Sequence, residues 1–258
     1  MGGDYGAGRS ALPESLAPAL RTASIEYLDG ALANAGLQPH HLLLILRNPA
    51  VTAALLQRIG RSPIWLKSYK LRVALVQHPR TPRPLALSLA SSLRWGDLAR
   101  VTTSARSPVT VRAVAEKILL LRLPELALGE RISLARVAPP LVLHGLRREN
   151  SPLVARALLE NPLLRYEEAL SMAERPDAPP PLLQALAECT RFVGRRELRL
   201  ALAAHPHTPS VVALRLVSAL EEGSLVCLAA SPAAPILVRL AAERRLASGP
   251  QAGGSTLT

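Results

Sequence analysis

The chain has 258 residues, 49% of them hydrophobic but only 3% aromatic, with a net charge of +12 and two cysteines, Cys189 and Cys227. Leu and Ala, both strong helix formers, carry the apolar content, and the scarcity of strand-favouring side chains argues against sandwiches and barrels. Two cysteines exclude a disulfide framework and a four-cysteine metal site.

In chain order, residues 1–13 read as a flexible leader without the apolar core of a signal peptide. Hydrophobic periodicity and proline punctuation then predict helices over 14–35 (with a break near Gly30), 38–47, 51–60, 65–77, 82–93, 95–103, 108–121 and 130–137. More follow over 139–147, 152–160, 164–174, 179–189, 195–204, 209–220, 222–230 and 235–247. Residues 248–258 read as an unstructured tail. No uncharged apolar run approaches the length of a transmembrane helix, so the expected location is the cytoplasm. The expected fold class is all-α, a single α-solenoid domain over 14–247.

The segment 71–93 shows why the chain turns where it does. Leu71, Ala74, Leu75 and Val76 share one helical face. Pro79 has no amide hydrogen and restricts the residue before it, so that helix ends near His78. Thr81 is placed to cap the next helix, with Pro82 at its first position. The same cap-plus-proline pair stands at Ser62-Pro63, Ser107-Pro108, Ser151-Pro152 and Thr208-Pro209.

Residues 42–119 align with 169–246 without a gap, about a third of the pairs being identical. LRVALVQHPRTP (71–82) matches LRLALAAHPHTP (198–209). This reads as duplication of a block of several helices, with further helical repeats over 120–168. Asn48, His78 and Ser104 mark the corners of the first block, and Arg175, His205 and Ser231 those of the second. Asn161 marks another corner between the blocks. Their expected task is to satisfy carbonyls left open at helix C-termini.

These corners, with LARVTTSARSP (98–108), LGERISLARVAP (128–139) and ARALLENPLL (155–164), resemble HEAT-like α-solenoid repeats and the bacterial leucine-rich repeat variant. The resemblance implies stacked short helix pairs and carries no assigned activity. An iron–sulfur cluster is found in one protein of that kind, but the cysteines it needs are missing from this N-terminus.

The charge is uneven: residues 41–130 alone carry +10. The best functional feature is RSPIWLKSYKLR (61–72), where basic residues alternate with rings, as a nucleic-acid surface requires. The candidate polyanion contacts are Arg61, Trp65, Lys67, Tyr69, Lys70, Arg72, Arg80, Arg83, Arg94 and Arg100. A competing expectation is that Trp65 and its counterpart Phe192 fill equivalent core slots. HEAT-like solenoids include DNA glycosylases, which need a carboxylate near a flipped base; Asp97, close to Trp95, is the candidate. His40-His41 and His205-Pro206-His207 lack further ligands at a metal-site spacing, Cys189 and Cys227 read as small core residues, and Glu167, Glu168, Glu174, Glu221 and Glu222 as solvated helix faces.

The leading expectation is a non-enzymatic helical-repeat scaffold for a macromolecular partner, in first place a protein. A nucleic-acid-binding solenoid is the alternative, and a glycosylase-type enzyme a more distant one. No catalytic residue, cofactor, metal or small-molecule substrate is inferred.

Overall fold

The structure is a computed structural model that describes residues 3–248. Among these it is all-helical, with no strand. Contacts gather the chain into two compact units, Met1–Arg122 and Leu123–Thr258, where the sequence reading takes 14–247 as one domain.

The first unit contains α1 (Gly3–Ser10), α2 (Pro13–Ala19), α3 (Ile25–Ala31), α4 (Pro39–Ile45), α5 (Ala53–Arg61), α6 (Pro63–Leu66), α7 (Tyr69–Gln77), α8 (Arg83–Ala90), α9 (Trp95–Thr103) and α10 (Val109–Arg122). The second contains α11 (Leu128–Val137), α12 (Pro140–Leu146), α13 (Pro152–Leu159), α14 (Tyr166–Glu174), α15 (Pro180–Glu188), α16 (Thr190–Val193), α17 (Arg196–Ala204), α18 (Ser210–Ser218), α19 (Glu222–Ala230) and α20 (Ile236–Ala247).

Within each unit, alternate helices touch. Helix α7 packs on both α4 and α9, while α8 packs on α10; in the second unit α17 packs on α14 and α19, and α18 on α15 and α20. Such helices are too short to hide an apolar stripe alone, so each is buried by its neighbours. Helices α4–α10 and α14–α20 follow one another in the same order. Every start is displaced by one constant offset, that of the sequence alignment, from Pro39 with Tyr166 to Val109 with Ile236. The buried side chains keep that offset: Leu55, Leu56, Leu71, Leu75, Leu98 and Val111 are buried, and so are Leu182, Leu183, Leu198, Leu202, Leu225 and Val238.

Several expectations change. Gly3–Ser10, read as leader, forms α1 against α3. The helix expected over 14–35 breaks over 20–24, where the Ser24 hydroxyl caps α3 by accepting from Tyr27 N–H at 3.3 Å. Gly30 does not break a helix. It lies inside α3 where α1 crosses, and a Cβ there would sit 2.0 Å from the Tyr5 carbonyl oxygen. The helix expected over 65–77 is two, α6 and α7, separated near Ser68. Thr81 does not cap α8, whose N-cap is Pro82. Its hydroxyl instead donates to the Leu75 carbonyl at 2.7 Å, closing the helix behind it. Ser62 and Ser151 precede Pro63 and Pro152 as expected, but neither hydroxyl makes a capping bond. Cys189 is half-buried and Cys227 exposed, so Cys227 is not a core residue. The expected tail beyond Ser248 lies outside the described residues.

The corners at Asn48, Asn161 and His205 are built by one device, whereas Ser104 closes only its own turn, accepting from Arg106 N–H at 3.3 Å, and the Arg175 guanidinium pairs with Asp177 instead of a carbonyl. Asn48 Nδ2 donates to the carbonyls of Leu20 (3.0 Å) and Ala23 (3.1 Å), while its Oδ1 accepts from Ala50 N–H (2.7 Å). Asn161 repeats this on Ala135, Ala138 and Leu163. His205 substitutes a ring: Nδ1 accepts from His207 N–H at 3.0 Å, and Nε2 faces the Arg175 carbonyl at 2.8 Å. One side chain thus closes its own turn and satisfies open carbonyls at the corner before it. Asn34, which has no proline after it to reveal it, does the same to the Gly8 and Ala11 carbonyls and anchors the end of α1.

Candidate functional site

Eight of the ten candidate residues gather around the start of α7. Arg61 ends α5, Trp65 lies in α6, Lys67 follows α6, and Tyr69, Lys70 and Arg72 open α7. The N-terminus of α9 lies beside them, because the Arg94 amide donates to the Tyr69 hydroxyl at 2.9 Å and that hydroxyl donates to Asp97. Arg100 pairs with the same carboxylate. Guanidinium carbons of Arg72 and Arg94 stand 5.1 and 4.9 Å from the Tyr69 ring centroid.

Arg80 and Arg83 fall elsewhere. They occupy the link from α7 to α8 and the start of α8, beyond the opposite end of α7. Arg80 is also committed: its guanidinium donates to the Pro49 and Val51 carbonyls at 2.6 and 2.7 Å, bracing the previous corner. His207, its counterpart in the second block, reaches the Ala178 carbonyl at 3.2 Å in the same way.

The electrostatics follow from these contacts. Burial pushes the Asp97 carboxyl up, but hydrogen bonds from Tyr69 and Arg100 and the neighbouring Arg94 charge outweigh it and hold it below the usual carboxylate range. Burial and the bond to Asp97 push the Tyr69 phenol up. Tyr69 and Asp97 are therefore partnered with each other and with arginines. Arg61, Lys67, Lys70 and Arg94 have exposed side chains that make no ion pair to a described residue. Trp65 is half-buried, whereas Phe192, at the equivalent place, is 4% exposed, so the two do not fill equal core slots.

The second unit carries different chemistry on the same frame. Where Tyr69 bonds Asp97, Arg196 Nε donates to Ser224 Oγ at 2.7 Å. Where the first unit has Arg61, Lys67, Lys70 and Arg94, the second has Glu188, Gly194, Glu197 and Glu221, all exposed. A Tyr–acid–Arg tie recurs one layer earlier: Tyr166 donates to Glu197 at 3.1 Å, with Arg195 over its ring at 4.4 Å.

The second unit also has a surface that sequence reasoning did not single out, a groove between α18 and α20 lined by Leu214, Leu237, Leu240, Ala241 and Ala247. Leu214, Leu237 and Leu240 are 41, 62 and 55% exposed. The equivalent positions in the first unit are Leu87, which is half-buried, Thr110 and Ala113. Leu237 and Leu240 are therefore particular to the second unit, while Ala241 and Ala247 stand where the first unit has the half-buried Val114 and Leu120. Leucines at 237 and 240 look like core periodicity in a sequence, and only their outward direction reveals them.

Among the described residues there is no cluster of His, Cys, Asp or Glu able to hold a metal ion, and no helix long and apolar enough to cross a membrane. Comparison with protein families, with curated proteins and with solved structures finds no match to this chain.

Proposed function

We propose that the protein is a non-enzymatic helical-repeat scaffold, an α-solenoid of HEAT-like units, that holds a protein partner in the leucine groove of its second unit. The observation that carries the reading is the exposed apolar surface of Leu214, Leu237 and Leu240. Contiguous exposed apolar surface marks interaction sites. A groove between two helices, with Glu243 and Arg244 also lining it, suits the apolar face of an amphipathic helix, whose anchors repeat at i, i+3 or i+4, and i+7. Support for the repeat architecture comes from the constant offset shared by helices and buried positions, and from the corner asparagines and histidines.

The test uses substitutions that the first unit already carries at the two added positions. A displayed library of helical peptides is selected on the wild-type protein. Enriched sequences are expected to show the amphipathic spacing and to bind the Leu237→Thr/Leu240→Ala variant at least about 30-fold more weakly, since each truncated leucine anchor is worth ~1–2 kcal/mol. Peptides without that spacing, binding unchanged in the variant, or a catalytic turnover abolished by a single substitution would overturn the reading.

A further inference from the structure

We infer that the edge of the first unit formed by the end of α5, by α6 and by the starts of α7 and α9 is a binding surface for the phosphodiester backbone of a nucleic acid. It is distinct from the leucine groove and does not rest on it. Three observations carry it.

First, the cations there are available. Arg61, Lys67 and Lys70 are exposed and make no ion pair to a described residue. Arg94 rests over the Tyr69 ring, a stacking that leaves guanidinium N–H groups at its edge to meet a phosphate. Elsewhere many arginines are already employed, Arg80 and Arg191 on backbone carbonyls and Arg131, Arg136 and Arg156 on glutamates.

Second, the carboxylate of this cluster, Asp97, is spent on Tyr69 and Arg100. It fixes the start of α9 beside that of α7 and pairs with none of Arg61, Lys67 and Lys70.

Third, the fold does not require the positive charge. The second unit builds the same helices with Glu188, Gly194, Glu197 and Glu221 at those places, and the arginines it has nearby are engaged, Arg191 on backbone carbonyls, Arg195 over the Tyr166 ring and Arg196 with Ser224. A requirement of packing would appear in both units, whereas a surface shaped by a ligand appears in one. Phosphodiester is favoured over an acidic protein because Lys67 and Lys70 are flexible point charges, Arg61 and Arg94 are planar forks that match a phosphate, and the half-buried Trp65 between Arg61 and Lys67 offers a ring on which a base can stack.

The experiment is fluorescence anisotropy of a labelled oligonucleotide, as DNA and as RNA, with polyglutamate as competitor. Binding is expected at low salt, with a log–log salt slope near ~−3 for four phosphate contacts to a single strand. The Arg61→Glu/Lys67→Gly/Lys70→Glu/Arg94→Glu variant installs the second unit's own residues, so it keeps its helical circular dichroism. It should bind about 100-fold more weakly or not at all. Lys70→Glu alone should weaken binding and flatten the slope by about one or more. Arg83→Ala, beyond the other end of α7, should change neither. No binding of either oligonucleotide, equal binding by the four-site variant, or displacement by polyglutamate at matching charge concentration would overturn the inference. Peptide binding to the leucine groove, measured on the same four-site variant, should be unchanged, which separates this site from that one.

Discussion

At the residue scale, the fold is held by side chains that serve two corners at once. Asn161 is fully buried and makes three hydrogen bonds to backbone. Asn161→Ala leaves the Ala135 and Ala138 carbonyls and the Leu163 amide without it, and stability should fall by about 2–4 kcal/mol in urea unfolding. His78 does the same work with a ring, and its Nδ1 must be unprotonated to accept from Arg80 N–H at 3.1 Å. Burial, with the nearby Arg80 charge, holds the His78 imidazole below its ordinary value, opposed by its bond to the Leu46 carbonyl. A base whose folded pKa is depressed contributes stability that is fully present above the unfolded value near ~6.5 and is lost as pH falls from there through the lower folded value. His78→Asn, the residue used at the corners of Asn48 and Asn161, should therefore flatten the fall of the urea midpoint between about pH 7 and pH 5 relative to wild type.

At the element scale, packing decides which glycines and hydroxyls matter. Helix α1 approaches α3 so closely that Gly8 and Gly30 have no room for a Cβ. Gly30→Ala should loosen α1, costing about 1–3 kcal/mol, seen as faster amide exchange over 3–10 and 25–31 with the second unit unaffected. Much of the helical framework was legible from proline at many corners and from apolar periodicity between them: α9 and α19 have the expected bounds, and α17 and α20 begin within a residue of them. What was illegible depended on partners remote in sequence. The close crossing at Gly30 involves Tyr5, and the Tyr69–Asp97 tie joins helices 28 positions apart in the chain. Thr81 stands next to proline like a cap, yet its nearest open carbonyl belongs to the helix behind it, and the hydroxyl goes there.

At the scale of the whole molecule, two blocks of the same chain share helix bounds and buried positions while their surfaces differ. The +10 excess over 41–130 is divided by the fold. Arg80 goes to backbone, Arg83 to the far end of α7, and Arg61, Lys67, Lys70 and Arg94 to one edge. In the second unit that edge carries Glu188, Glu197 and Glu221 beside Arg191, Arg195 and Arg196, which are engaged within the unit, and the distinguishing surface is the leucine groove. The sequence pointed to the basic segment because charge needs no tertiary information to be counted. It was silent on the groove because an outward leucine and an inward one have the same spacing. Function on this account belongs to the positions where the blocks differ, which are the positions the fold leaves free.

The most direct test places a photo-crosslinking side chain at Leu240 in one sample and at its counterpart Ala113 in another, each mixed with a helical peptide selected on the wild-type protein. The account predicts covalent capture of the peptide from position 240 and none from position 113. Equal capture at both, or capture only from 113, would contradict it.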